Sequence, residues 1–291
     1  MSMGRTDLFS LHEPLGAVMP LVCDSPHSGT TYPEDFRHAV SRPVLRAAED
    51  THVEALWGAA PTLGATLLEA HFPRSYIDLN RTLDDIDPAL LDGAWPTPLS
   101  PGEKTRIGSG LLWRTVKNQP IYDRLLPVAE VERRIQRCYR PYHAALIDAV
   151  TRTHLRFGAV WHLNLHSMPN NAYERLQIKS TKPLADFVLS DRDGTTCEPT
   201  FVELVETHLR SRGYTVARND PYKGVQLIGT IGQPALNRHS MQIEVRRPLY
   251  MNEETRERSA DFDTVRRDIT GLLQILSGHF AQRKLLPTPA R

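Results

Sequence analysis

The sequence predicts an α/β protein with a mostly parallel central sheet. Short apolar runs alternate with longer amphipathic stretches along the chain, which is the pattern of strands and covering helices. Several of the apolar runs end directly in polar residues, as strands do when they reach the functional edge of such a sheet. The length of 291 residues suits one large domain or two ordinary ones, and no linker composition interrupts it, so we expect a single domain over residues 1–291.

The predicted strands are short apolar runs that end at glycine, proline or polar residues. The run at residues 159–165 is apolar at alternate positions and is flanked by Gly158 and Pro169. The strands are predicted at residues 17–22, 65–69, 75–79, 159–165, 187–189, 214–217 and 241–245.

The predicted helices follow the longer amphipathic stretches. Residues 199–212 place Phe201, Val205 and Leu209 on one face, and Gly213 supplies the stop signal. Further helices are predicted at residues 44–59, at 121–157 with breaks near Pro127 and Pro141, and at 253–283.

Between residues 82 and 120 the periodicity is lost, and five prolines and four glycines fall in this stretch. A loop of this length inside a domain is either a lid or binding loop, or a surface insertion without a role, and the sequence leaves both readings open. Residues 284–291 are expected to form a disordered tail.

The charge balance excludes several classes of protein. The chain has 35 basic and 34 acidic residues, without the basic excess of a nucleic-acid or anionic-membrane binder. No stretch approaches the roughly 20 apolar residues of a membrane span, and residues 1–5 lead into no apolar signal segment. Three cysteines are too few for a disulfide framework. We expect a cytoplasmic protein, a monomer or small homo-oligomer, with no nucleic-acid or membrane partner.

Polar side chains follow the predicted strands at the edge where parallel strands place their chemistry. His27 and His166 each come just after an apolar run. Taken singly, His27 is more typical of a surface turn and His166 of a hydrogen-bonded core residue. Together they favour an open zinc site of the His/His/carboxylate type. The third ligand must be acidic, and the residues alone leave three candidates: Glu49 and Asp50 in helix 44–59, and Asp24.

Other polar residues at this edge have two readings each. Glu244 lies in an apolar strand and is either a buried general base or the partner of Arg246 or Arg247 in a structural salt bridge. Asn80 and Arg81 form either an ordinary strand-end turn or a clamp for a substrate carboxylate, which an arginine accepts bidentately.

Other reaction classes lack their sequence signatures. No glycine-rich phosphate-binding motif is present, and no Gly-x-Ser-x-Gly elbow marks a serine hydrolase. Cys23 follows a strand, but it reads better as a small buried hydrophobe than as a nucleophile.

The chain resembles the N-formylglutamate amidohydrolase family from about residue 20 to about residue 254. The order and joint occurrence of six segments carry this resemblance. They are Asp24-Ser25-Pro26-His27-Ser28-Gly29, Glu49-Asp50-Thr51-His52-Val53, Arg74-Ser75-Tyr76-Ile77-Asp78-Leu79-Asn80-Arg81, Leu163-Asn164-Leu165-His166-Ser167-Met168-Pro169, Asn219-Asp220-Pro221-Tyr222-Lys223-Gly224 and His239-Ser240-Met241-Gln242-Ile243-Glu244. The resemblance implies a three-layer α/β/α fold with a mostly parallel mixed central sheet, similar to that of the zinc carboxypeptidases and aspartoacylases.

The resemblance also implies roles for individual residues. His27 and His166 match the first and last ligands of one zinc ion. Zinc carboxypeptidases place a glutamate three residues after the first histidine, where this chain has Thr30, so the carboxylate comes from elsewhere and Asp50 matches better than Glu49. The remaining matches are Glu244 as the catalytic glutamate, Arg74 as the group that polarises the scissile carbonyl, Asn80 and Arg81 as a substrate-carboxylate clamp, and Asn219 and His239 as further pocket residues.

The activity implied is zinc-dependent hydrolysis of the formamide of N-formyl-L-glutamate, a small anionic substrate, in histidine degradation. Two alternatives remain at this point. One is an amidase or deacylase of the same fold that acts on another N-acyl amino acid or a small peptide. The other is a non-catalytic binding protein of that fold.

Overall fold

An eight-stranded mixed sheet runs through the centre of the computed structural model, which describes residues 4, 5 and 7–283, the first two by their backbone only. The strands stand in the order β1-β2-β4-β3-β5-β8-β6-β7. Four of the seven neighbouring pairs are parallel, so the prediction of a mostly parallel mixed sheet is confirmed. The strands are β1 Gly4–Arg5, β2 Phe9–His12, β3 Leu21–Ser25, β4 Thr66–Ala70, β5 Val160–Met168, β6 Phe187–Ser190, β7 Val216–Arg218 and β8 Arg238–Arg246.

Helices and turns connect these strands. The α-helices are α1 Arg42–Leu45, α2 Val53–Leu56, α3 Glu103–Arg106, α4 Val128–Arg134, α5 Arg140–Phe157, α6 Ala172–Arg175, α7 Pro199–Ser211, α8 Gln226–Ile231 and α9 Phe262–Gln282. A π-helical stretch, Ile135–Tyr139, joins α4 to α5. The 3₁₀ turns are Glu34–Phe36, Arg46–Ala48, Pro61–Leu63, Pro88–Leu90, Pro234–Leu236 and Arg247–Leu249.

Both faces of the sheet are covered, each by its own apolar core. On one face α5 packs Tyr142 and Leu146 with Val22 and Leu68 of the sheet. On the other face α7 and α9 pack against the strand side chains that point to that face, such as Leu163. Helices on both faces of one sheet make the three layers of the predicted α/β/α fold, which is confirmed.

Several predicted elements differ from those observed. Residues 75–79 are not a strand, because the Asp78 carboxylate accepts a hydrogen bond from the backbone N–H of Asn80 and turns the chain there. Helix 44–59 is divided into α1 and α2, since Glu49 is extended and His52 has a φ of 71°. The helix expected from residue 253 begins only at Phe262.

The predicted breaks in helix 121–157 are only partly right. Helical structure begins at Val128, directly after Pro127. This agrees with the predicted break, because a proline disfavours a helix that would continue through it from the preceding residues. Near Pro141 the helix does not break. The π-helical turn lies immediately before this proline and accommodates its missing N–H within a continuous rod.

The segment at residues 82–120 has little regular structure, as predicted, but it is not a peripheral insertion. Ile86, Leu90, Leu111 and Trp113 from this segment are buried in the core beside α5. The tail predicted at residues 284–291 lies outside the described residues. Within the described residues, no helix is long and apolar enough to cross a membrane.

Candidate active site

Alternate residues of β5 form a buried polar layer on one face of the sheet. His162, Asn164 and His166 point away from the core that receives Leu163, and all three are buried. The parallel register sets Glu244 of β8 opposite His166, and Asp24 of β3 opposite Asn164. The polar residues predicted at separate strand ends therefore lie side by side in this layer.

His27, Asp50 and His166 converge just beyond this layer. The two Nδ1 atoms lie 3.0 Å apart, and Asp50 Oδ2 lies 3.2 Å from the Nδ1 of His166 and 3.6 Å from that of His27. All three side chains are buried, and their ligand atoms lie within 4.8 Å of one another. Of the candidate carboxylates, the structure brings Asp50 to the two histidines.

The protonation of His27 follows from its neighbour Asp78. His27 Nε2 lies 2.8 Å from Asp78 Oδ1, while Arg74 and the Trp113 indole N–H donate to Oδ2. Burial opposes the ionisation of Asp78, but the charges of Arg74, first, and of Arg81 hold the pKa of its carboxyl well below its usual range. An ionised Asp78 accepts the proton on His27 Nε2, so the Nδ1 of His27 keeps its lone pair.

A second chain of hydrogen bonds orients His166. The Asn164 amide donates to Asp24 Oδ1 at 2.7 Å, which fixes Asn164 Oδ1 as an acceptor. This oxygen lies 2.6 Å from His166 Nε2 and also accepts from the Asn80 amide at 2.8 Å. The Nε2 of His166 also lies 2.7 Å from the Asn80 amide nitrogen. The tautomer with its proton on Nε2, which donates to Asn164 Oδ1, leaves the Nδ1 of His166, like that of His27, with a lone pair.

The Asp50 carboxylate supplies the third electron-pair donor. Arg247 donates to its Oδ1 at 2.8 Å and leaves Oδ2 facing the two histidines. Despite burial, the neighbouring imidazoles and the charges of Arg247 and Arg74 hold the pKa of Asp50 well below its usual range. Two imidazole lone pairs and an ionised oxygen at this separation repel one another in the absence of a cation. The donor set fits a zinc ion.

The other candidate carboxylates are engaged elsewhere. Glu49 is fully buried, and it accepts hydrogen bonds from Tyr32 at 2.7 Å, Thr51 at 2.9 Å and Arg46 at 3.2 Å. Asp24 binds His162, Asn164 and Tyr142 below the cluster. Both residues therefore stabilise the surrounding fold.

Glu244 is buried beside His166 without a salt bridge. Gln242 donates to its Oε1 at 2.8 Å. Arg246 pairs with Asp186 and Arg247 with Asp50, so within the described part of the chain neither forms the structural salt bridge considered for Glu244. Burial, together with the charge of Asp50, raises the pKa of Glu244, and the charges of Arg74 and Arg247 oppose that rise.

The arginines around the cluster are largely committed to partners in the protein. Arg74 donates to Asp78 through Nε and Nη2, which leaves Nη1, 3.9 Å from Asp50 Oδ2, on the side of the cluster. Arg81 donates to the carbonyl oxygens of Ser109 and Asn80. Both side chains are thus held at the site by the loops that they bridge.

Three predicted pocket residues lie outside the cluster or support it. Asn80 contacts Asn164 and thereby supports His166. Asn219 follows β7, and its amide is paired with Asp191 at 2.7 Å. His239 lies on β8 five residues before Glu244, about 16 Å away along the strand. It stacks on Trp161 and lines a separate cavity of about 570 Å³.

A buried Ser240–His162–Asp24 chain has the composition of a catalytic triad. Ser240 Oγ lies 2.8 Å from His162 Nδ1, and His162 Nε2 lies 2.8 Å from Asp24 Oδ1. Each of the three residues is at most 1% exposed, so no substrate reaches the hydroxyl. This chain holds Asp24, and through Asn164 it supports His166.

Several residues near the cluster have no role that the sequence patterns predict. Asp78 and Asn164 orient the two histidines, and the polar residues at alternate positions of β5 were the available signal for Asn164. Lys104, Arg175 and Tyr222 lie near Glu244 or Arg74 but come from three separate segments: α3, α6 and the loop after β7. No motif marks those three as neighbours.

Comparisons with known proteins agree on one family. The family model described as N-formylglutamate amidohydrolase matches residues 19–251. N-formylglutamate deformylase of Pseudomonas putida is 28% identical over 240 residues, which is 81% of this chain and 83% of that protein. The protein of the same name from Pseudomonas aeruginosa is 28% identical over 244 residues, which is 81% of this chain and 84% of that protein.

Solved structures give the same result. The crystal structure of an N-formylglutamate amidohydrolase from Ralstonia eutropha JMP134 is 65% identical in sequence and superposes with a TM-score of 0.93, covering 95% of this chain and 99% of that one. A protein from Agrobacterium tumefaciens, 19% identical with a TM-score of 0.63 over 95% of each chain, is similar in fold alone.

Proposed function

The chain belongs to the N-formylglutamate amidohydrolase family, enzymes that act on an amide, and we propose that it hydrolyses N-formyl-L-glutamate to formate and L-glutamate with one zinc ion. The observation that carries the proposal is the convergence of His27, Asp50 and His166 beside the buried carboxylate of Glu244. A metal site next to a general base is a combination suited to the hydrolysis of an unactivated amide.

His27, Asp50 and His166 would hold the ion. A zinc ion in such a site supplies Lewis acidity, which polarises a carbonyl and lowers the pKa of water toward about 7. Asp78, Asn164 and Arg247 keep the three ligands in the protonation state that binds a cation.

The protein's own groups then carry out the proton transfers. Glu244 takes a proton from the attacking water, whose oxygen bonds to the formyl carbon. The Nη1 of Arg74, free of Asp78, donates a hydrogen bond to the developing oxyanion. Glu244 returns the proton to the leaving nitrogen as the C–N bond breaks, and formate and L-glutamate are released.

The proposal extends to the cellular role. Formate and glutamate are the products of the last step of one route of histidine breakdown, and we assign this reaction to a cytoplasmic monomer or small homo-oligomer. The names of the two Pseudomonas relatives support the choice of substrate.

A substrate panel tests the proposal. Purified protein should release formate from N-formyl-L-glutamate, lose the activity when a chelator removes the metal, and regain it when zinc is restored. N-Acetylglutamate and N-formylmethionine serve as comparison substrates. Turnover of one of these without turnover of N-formylglutamate would identify an amidase of different specificity. A protein that binds zinc but hydrolyses none of the panel contradicts the proposal.

A further inference from the structure

The cations near the cluster fall into two groups. Arg74, Arg81 and Arg247 are bound to carboxylates or carbonyl oxygens of the protein. Lys104 and Arg175 form no ion pair and no side-chain hydrogen bond with any residue that the structure describes. The unpaired donors at this site therefore belong to residues outside the arginine clamp predicted from the sequence.

Tyr222 brings the two unpaired cations to the same place. Its ring packs in a small cluster with Met168 and Ala172. Met168 ends β5 two residues after His166, so this ring stands at the edge of the sheet where the metal ligands lie. Lys104 Nζ lies 5.8 Å from the centre of the Tyr222 ring, and Arg175 is on α6, the same short helix as Ala172.

The surroundings of Lys104 are unfavourable for its charge without an anionic ligand. Its side chain is partly buried, and its nearest charged groups include Arg81 and Arg74. Burial, followed by these two guanidinium groups, lowers the pKa of Lys104 to about 8, although the charges of Glu244 and Glu103 oppose the fall. A partly buried cation that forms no ion pair with any residue the structure describes is suited to bind an anion from solution.

We propose that Lys104 and Arg175 bind the two carboxylates of the substrate, one each, and so restrict the enzyme to N-acyl derivatives of dicarboxylic amino acids. This inference rests on the proposed function for the acyl group. Arginine offers a planar fork and lysine a compact point charge, and both suit a carboxylate. The Tyr222 ring beside them gives the methylene groups of the substrate an apolar surface.

Binding of the product tests the assignment without requiring turnover. Calorimetric titration of the zinc-loaded protein uses L-glutamate, L-glutamine (side-chain amide) and L-isoglutamine (α-amide). Lys104→Met and Arg175→Met remove each charge and keep a similar stem. Arg106→Met, on the same helix as Lys104, and Lys179→Met, just after α6, are matched controls.

Each test variant should bind L-glutamate roughly 10- to 100-fold more weakly, because a carboxylate loses its charged partner. L-Glutamine and L-isoglutamine each lack one of the two carboxylates. One variant should therefore bind L-glutamine as tightly as the unmodified protein does, and the other variant should bind L-isoglutamine as tightly as the unmodified protein does. The control variants should bind L-glutamate as the unmodified protein does. Equal weakening for all three ligands, or no weakening, overturns the inference.

The two proposals fail separately. In one outcome, the variants bind glutamate more weakly while the unmodified protein releases no formate from N-formylglutamate. That result rejects the proposed reaction and keeps the recognition site. Normal formate release with unchanged glutamate binding in both variants rejects the recognition site alone.

Discussion

The Nδ1 atoms of His27 and His166 lie 3.0 Å apart, and the hydrogen bonds on the far side of each ring leave both nitrogens with a lone pair. Asp50 Oδ2 completes the group of three donors. Neutral imidazoles and a carboxylate are the ligands that zinc prefers. The surrounding hydrogen bonds thus hold these three donors together as a candidate metal site.

Asp50, and not Glu49, is expected to be the carboxylate ligand. Asp50→Asn should lose most of its zinc, as should His27→Ala, because each removes a charged or neutral donor from the cluster. Glu49→Gln should keep about one zinc per chain by metal analysis, but it should melt at a lower temperature, since Glu49 is buried with three hydrogen-bond donors around it. Full zinc content in Asp50→Asn contradicts this assignment.

Asp78 is expected to control the zinc affinity without touching the ion. Asp78→Asn removes the charge that keeps the proton of His27 on Nε2, and the affinity should fall roughly 10- to 100-fold. Competition with a chelating dye measures this change. Asp92→Asn, an exposed aspartate, serves as the control. An unchanged affinity in Asp78→Asn would show that His27 is oriented by other contacts.

Glu244→Gln should abolish turnover while zinc remains bound. The amide is similar in size and keeps the packing against Gln242, but it cannot accept a proton from water. Loss of general-base catalysis costs roughly 10²- to 10⁴-fold in kcat. Formate release and metal analysis on the same sample separate the two effects. A near-normal rate in this variant would assign the base to another residue.

The polar residues at the strand ends could be predicted from the sequence, because each one follows or interrupts a short apolar run. This pattern indicates His27, His166 and Glu244 together as candidate site residues. The protonation states of the histidines were not predictable, since they depend on Asp78, which lies in a turn that the pattern of residues 75–79 presents as a strand.

Tertiary contacts account for the other differences. The apolar spacing of residues 44–59 favours one helix, but the buried hydrogen bonds of Glu49 hold the chain extended there. His239 and Glu244 are five residues apart on one strand and thus stand at opposite ends of it. Lys104 and Arg175 meet at Tyr222 only through the packing of separate loops, which no local pattern reveals.

The Ser240–His162–Asp24 chain is expected to be structural. Ser240→Ala should leave kcat and KM for N-formylglutamate within about threefold, because the hydroxyl is completely buried and reaches no substrate. Its melting temperature should fall, since His162 Nδ1 then lies buried without a partner. Formate release and thermal unfolding measure the two effects. A large fall in kcat at unchanged zinc content would give this chain a part in the reaction.

Glu54 is expected to make the stability of the fold depend on pH. Burial raises its pKa from 4.5 to about 7, and Glu69 nearby adds to the effect. Between pH 4.5 and about pH 7, Glu54 is protonated in the folded state and ionised in the unfolded state. The contribution of Glu54 to stability is therefore fully present below about pH 4.5 and is lost as the pH rises through about 7.

Glu54→Gln removes this dependence. Compared with that of the unmodified protein, its free energy of unfolding should gain about 1–3 kcal/mol (greater relative stability) between pH 5.5 and pH 8, because the unmodified protein must ionise a buried carboxyl at the higher pH. Urea unfolding at both pH values measures the difference, and other titrating groups cancel between the two proteins. Glu174→Gln, on an exposed face of α6, should show no such change. An equal difference at the two pH values would mean that Glu54 is already ionised in the folded state at pH 5.5.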